Sequence, residues 1–241
     1  MTILDVRGVS KRFGGLQALS DVTFAVPQGQ IVGLIGPNGA GKTTFFSTLV
    51  GLIRPDSGTI KLGDSSIVGM KPHKVAALGM TKTFQNVALF AESSVLDNVL
   101  TAGLLRHDVS TAREQALICL ERVGLRSVAH KLAGDLSFPE RARVELARAL
   151  CTGPKVLLLD EVMAALNPVE MQEIMDLIRS LRDDGLTLLV VEHHMRAIMT
   201  ICDRILVLNF GKLLADGTAQ QVANDPVVIE AYLGRSAEAH T

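Results

Sequence analysis

The sequence predicts an α/β fold in which a mostly parallel sheet carries an antiparallel β segment near the N-terminus and an inserted helical lobe. Three observations carry this. A glycine-rich loop, Gly36 to Thr43, stands between a short apolar strand and an apolar helix. Two near-continuous apolar runs, Val156 to Leu159 and Leu186 to Val191, flank one amphipathic helix, which is how a parallel crossover unit buried on both faces reads. From about Val95 to Leu150 the apolar pattern changes to helical spacing.

Residues 2 to 35 alternate β-branched and polar positions around turns at Gly14-Gly15 and Pro27-Gln28-Gly29, predicting an antiparallel segment that ends in the strand Gln30 to Ile35. Thr59 to Leu62 and Ser66 to Val68, split by Gly63-Asp64, predict a second hairpin. In the helical stretch Ala116, Leu117, Leu120 and Val123 form one apolar stripe, with Gly124 as its stop. Asn167-Pro168 announces the crossover helix, which Met171, Ile174, Met175, Ile178 and Leu181 carry as far as Gly185.

A chain of 241 residues buries enough surface for one large domain with an inserted subdomain. Its 24 Lys and Arg nearly balance 25 Asp and Glu, so no positive field draws it to nucleic acid or anionic lipid. Cys119, Cys151 and Cys202 are odd in number and set among apolar neighbours, and are expected to be small buried hydrophobes in a reducing compartment. The apolar runs fall well short of the roughly 20 residues a spanning helix needs. The first residues show no basic region followed by an apolar stretch, so a cytoplasmic location is expected.

Gly36-Pro37-Asn38-Gly39-Ala40-Gly41-Lys42-Thr43 matches the phosphate-binding loop of P-loop NTPases. Glycines let successive backbone N–H groups converge on phosphate oxygens, and the following helix adds its positive end. Lys42 is positioned to reach the terminal phosphates, Thr43 offers Mg²⁺ a hydroxyl, and Thr44 adds a further phosphate contact. Downstream, Asp160-Glu161 closes a buried strand, the end at which open α/β sheets bind ligands. Alone, such a pair reads more readily as a solvated strand end or helix cap. Joined to the loop it points to phosphoryl transfer to water, with Asp160 holding Mg²⁺ through water and Glu161 polarising the nucleophile.

With these motifs in place, the chain resembles the ATP-binding cassette (ABC) superfamily over nearly its whole length. The resemblance implies ATP and Mg²⁺ as ligands and adds roles to residues that mean little alone. Phe13 matches the aromatic that stacks on adenine, although it reads equally well as core. Gln85 matches the glutamine loop that senses Mg²⁺ and the γ-phosphate. His193 matches the switch histidine, with His194 next to it where relatives carry Asp, so a shift of one residue stays open. Ala164-Ala165-Leu166-Asn167 matches a loop that crosses the dimer interface, and Asn167 is equally a helix cap. The implied division is a nucleotide-binding core of residues 1–85 and 151–235, a helical subdomain of 86–150 and a tail of 236–241.

The family's signature, normally Leu-Ser-Gly-Gly-Gln, binds the γ-phosphate held by the opposite subunit; here it reads Leu136-Ser137-Phe138-Pro139-Glu140. Ser137 and Glu140 have the spacing of a capping box, Pro139 lacks an N–H, and Glu140 adds negative charge. An asymmetric pair is expected, in which this chain works with a second, different ATPase subunit, with a homodimer as the alternative. Thr81 to Phe90 and Asn224 to Gly234 look like the ATPases of bacterial branched-chain amino acid importers. That implies two membrane-spanning permease subunits, a solute-binding protein outside and a peripheral place on the cytoplasmic side of the membrane, with branched-chain amino acids or another small polar solute as cargo. Val87, Leu89 and Phe90 are docking candidates for a permease coupling helix, or core. Two rivals stay open: a regulatory nucleotide-binding subunit with weak hydrolysis, and a soluble ABC ATPase without membrane partner.

Overall fold

Alternation of buried and exposed residues makes β1 (Thr2–Phe13) and β2 (Leu16–Pro27) an antiparallel pair. Leu4, Val6 and Val9 face inward opposite Leu19, Val22, Phe24 and Val26. The next strand, β3 (Ile31–Ile35), is buried at every position and leaves that sheet. This corrects the expectation of an antiparallel segment running through Ile35. A strand apolar on both faces has no solvated side, so it joins the parallel sheet, where layers cover it above and below. The structure, a computed structural model, describes residues 1–83, 88–164 and 166–231.

After β3 come α1 (Lys42–Leu49), the hairpin of β4 (Ser57–Leu62) and β5 (Ser65–Ser66), α2 (Pro72–Leu78) and β6 (Met80–Lys82). Three helices follow: α3 (Val95–Gly103), α4 (Val109–Arg122) and α5 (Phe138–Cys151). Ala112, Ala116, Cys119 and Leu120 of α4 are buried, and Gly124 just beyond it takes φ +75°, a left-handed stop that glycine adopts without penalty. The chain then runs through β7 (Val156–Asp160), α6 (Pro168–Asp183), β8 (Thr187–Val191), α7 (Met195–Ile201), β9 (Arg204–Asn209), β10 (Lys212–Gly217) and α8 (Ala219–Ala223). Asn167 caps α6 as expected, its Oδ1 accepting from the N–H groups of Val169 and Glu170. The β9–β10 hairpin and β6 were not anticipated.

Two sheets result. The antiparallel sheet has the order β2-β1-β4-β5; the larger has the order β10-β9-β3-β8-β7-β6, parallel except for β10. Successive residues of the parallel strands feed different cores. Ile31, Leu157, Leu159, Leu188 and Val190 pack toward α3 to α7; Val32, Leu158, Leu189 and Leu206 pack with α1 and the antiparallel sheet, where the Phe24 and Phe45 rings lie 5.5 Å apart. Cys119 and Cys151 are buried, Cys202 partly so, and all three are free thiols. Among the described residues no helix is long and apolar enough to cross a membrane.

Candidate active site

The loop between β3 and α1 is shaped by what crowds it. A Cβ at Gly36 would lie 2.1 Å from the Leu208 carbonyl oxygen, and one at Gly41, where φ is +105°, would lie 2.5 Å from the Ala18 carbonyl oxygen. Backbone from β9 and β2 thus approaches the loop as closely as glycine allows. Gly41 precedes the first turn of α1, so the helix's positive end opens at the loop.

Around it lies a cavity of about 330 Å³, lined by Phe13, Leu16, Gln17, Ala18, Asn38, Gly39, Ala40, Gly41, Lys42, Thr43, Thr44, Glu161 and His193. Phe13 is 47% exposed, which removes the core reading, and the Lys11 ammonium lies 5.4 Å from its ring centroid. Lys42 is buried, and its ammonium donates to the carbonyls of Gly36 (2.7 Å) and Pro37 (3.2 Å). Burial lowers its pKa, opposed by the charges of Glu161 and Asp160.

Asp160 ends β7 almost fully buried, its carboxylate 3.6 Å from the Lys82 ammonium and its backbone N–H donating to Thr83 Oγ1 at 3.0 Å. Burial raises its pKa and Lys82 opposes the rise. Glu161 follows in the left-handed region at φ +54°, a strained conformation for a side-chain-bearing residue. Its N–H donates to Val191 O at 2.9 Å, tying the end of β7 to β8. From the loop after β8, His193 Nε2 lies 2.8 Å from Glu161 Oε1. His193 lines the cavity, whereas His194 is at the cap of α7.

Lys82, Thr83, Leu16 and Glu192 were not singled out from sequence. Leu16 begins β2 and shares the cavity with Phe13; a lone leucine after a turn carries no signal for that. Lys82 and Thr83 meet β7 only through strand pairing that local pattern does not reveal. Glu192 is buried, and its Oε1 accepts from the Met163 N–H at 2.6 Å. Burial pushes its carboxyl up to about 7, opposed by the N–H groups of Met163 and His193 and aided by the charges of Glu161 and Asp160. Folded protein therefore holds a proton that the unfolded chain releases, and this contribution to stability is full below about pH 4.5 and lost as pH rises toward 7. At most about 3 kcal/mol is involved, since each pKa unit is worth about 1.4 kcal/mol. Without nucleotide, Glu192→Gln is expected to raise Tm by about 5 °C at pH 8.5 and hardly at all at pH 4.5, read by calorimetry.

Gln85 and Val87, with Ala165 of the interface loop and the tail, lie outside the described residues. Ser137 is exposed at the start of α5 and does not line this cavity; both its N–H and its hydroxyl donate to Glu140 Oε2 at 2.7 Å, within the predicted capping box. Hydrogen bonding from Ser137 holds the Glu140 carboxyl below its usual range. No cluster of three or more His, Cys, Asp or Glu among the described residues forms a metal cage. The Thr43 hydroxyl and Asp160 carboxylate are hard oxygen donors of the kind that hold Mg²⁺ alongside phosphates and waters, so the residues fit that ion.

Residues 19–164 match the family model described as ABC transporter, and residues 212–238 match that of the branched-chain amino acid ATP-binding cassette transporter. The chain is 43% identical over 251 residues to the high-affinity branched-chain amino acid transport ATP-binding protein LivG of Escherichia coli K12, covering 97% of this chain and 98% of the relative. It is 42% identical, with the same coverage, to BraF of Pseudomonas aeruginosa, which carries the same description. The structure of a nucleotide-free ATP-binding cassette from an ABC transporter superposes with a TM-score of 0.89 at 28% identity, covering 96% of this chain and 99% of that one.

Proposed function

We propose, on the premise that this chain belongs to the ABC transporter family of ATP-binding proteins, that it binds and hydrolyses ATP to drive import of branched-chain amino acids or a similar small polar solute. The observation that carries hydrolysis is the Glu161–His193 contact at 2.8 Å beside the phosphate-binding loop. It brings an acceptor for the proton of water and a donor for phosphate oxygen together at the ends of β7 and β8.

In this reading Phe13 stacks on the base and Leu16 covers its edge. The N–H groups from Gly36 to Gly41, with Lys42 and Thr44, hold the phosphates. Thr43 and Asp160, with Gln85, hold Mg²⁺, which supplies charge neutralisation on the phosphate oxygens. Glu161 orients a water and takes its proton, and His193 steadies both Glu161 and the γ-phosphate. Residues 1–85 and 151–235 do this work. The helical subdomain of 86–150 passes the result to a membrane-spanning permease, for which Phe90, exposed at 58%, is an anchor, whereas Leu89 packs against the core.

Two permease subunits, a second ATPase and an external solute-binding protein complete the assembly, with this chain on the cytoplasmic face of the membrane. The pairing of Ser137 with Glu140 supports a heterodimer. Both donors that would meet a partner's γ-phosphate are engaged by a carboxylate, so Ser137 serves the weaker of two composite sites while Lys42 and Glu161 work with the other subunit's signature. The test is the assembled complex in proteoliposomes. Uptake of radiolabelled leucine is expected to need ATP on this chain's side and the binding protein on the other; ATP hydrolysis without leucine uptake would move the cargo elsewhere, and absence of hydrolysis would end the reading.

A further inference from the structure

Glu192 is a buried acid that takes no part in holding nucleotide or metal. A carboxylate with 3% of its surface exposed is costly to bury, and among the described residues no Lys, Arg or His lies within salt-bridge distance of it. Asp160 and Glu161 add negative charge in its neighbourhood. Its neighbours in sequence are Val191, which closes β8, and His193, which contacts Glu161.

We propose that Glu192 is a positioning residue for hydrolysis, holding the turn after Glu161 against the loop that carries His193. Its Oε1 accepts from the Met163 N–H at 2.6 Å, two residues beyond Glu161. Glu192 itself directly precedes His193 in the loop after β8. This one bond thus ties the turn after Glu161 to the segment that presents His193. The Glu161 N–H to Val191 O bond, 2.9 Å, is the second tie between the same segments. Together these two ties hold Glu161 at φ +54°, a conformation that persists only where its surroundings enforce it. A further tie inside the turn, from the Ala164 N–H to Glu161 O at 3.2 Å, shapes the turn but does not join it to β8. Loss of the Glu192 acceptor leaves the Met163 N–H without its buried partner and frees the turn, which moves Glu161 away from His193.

The inference rests on Glu161 as the proton acceptor, so the experiment carries Glu161→Gln beside the Glu192 variants in the assembled transporter. Glu192→Ala removes the acceptor, Glu192→Asp retracts it by one carbon with the charge kept, and Glu192→Gln keeps it without the charge. Alanine and aspartate are expected to lower kcat at least tenfold, equal to about 1.4 kcal/mol at the barrier, with KM for ATP within twofold. Glutamine is expected to restore at least a third of the wild-type kcat. Aspartate provides the reading should alanine fail to fold. The proposal is overturned by Glu192→Asp with a kcat within twofold of wild type, by a rise in KM matching the fall in kcat, or by glutamine no better than aspartate. If Glu161→Gln itself turns over normally, the reading of Glu161 fails and Glu192 with it; if only the Glu192 variants are normal, the positioning role alone fails.

Discussion

Replacing Lys42 with alanine is expected to weaken ATP binding at least a hundredfold while leaving the fold intact. The ammonium is buried, and its own hydrogen bonds run to the carbonyls of Gly36 and Pro37 within the loop. No strand or helix depends on them. Burial disfavours its charged form, so the folded chain gives up little by losing it. The triphosphate is in the opposite position. A hydrogen bond to a charged group contributes about 1.5 to 3 kcal/mol, and two such bonds at the lower bound already amount to about 3 kcal/mol, or a factor of about a hundred. Equilibrium binding of a fluorescent ATP analogue with Mg²⁺, paired with a thermal melt, reads both halves. Unchanged affinity would remove the site from this loop altogether.

Glu161→Gln is the second large effect, expected in kcat with affinity left within about threefold. Glutamine keeps the size and the oxygen that faces His193 Nε2 but cannot take a proton, and a positioned proton acceptor is worth about 10² to 10⁴ in rate. The assembled complex should lose at least a hundredfold in phosphate release. The same variant reports on asymmetry. With Ser137 engaged by Glu140, hydrolysis at the composite site containing this chain's Glu161 should carry most of the turnover. Retained turnover in Glu161→Gln, with loss on the equivalent change in the other ATPase, would make this chain the regulatory member.

Much of the architecture is legible locally because the determinants are local. Asn167-Pro168 caps and starts α6 through contacts within three residues, and Gly124 stops α4 through its own backbone freedom. The strand at residues 31–35 shows where that locality ends. Its composition is right for a strand, yet the sheet it enters depends on whether both faces find a cover, which β8 and β9 decide from more than 150 residues away. The hairpin of β9 and β10 differs: its two-residue turn at Phe210 and Gly211, with φ +45° and +76°, is local, yet it was not anticipated from the sequence.

The glycine-rich loop of residues 36–43 belongs to what is legible in sequence alone. Its glycines, lysine and threonine act through backbone geometry and side chains within eight consecutive positions, so spacing carries the chemistry. Folding had to decide the rest. That Phe13 is exposed beside the loop, that Lys82 meets Asp160, that His193 and not His194 faces Glu161, and that Glu192 ties two strand ends together all depend on atoms brought within about 4 Å by the register of a parallel sheet. Parallel strands are joined through long crossovers, so their alignment is set by packing on both faces and leaves no short-range trace in the order of residues.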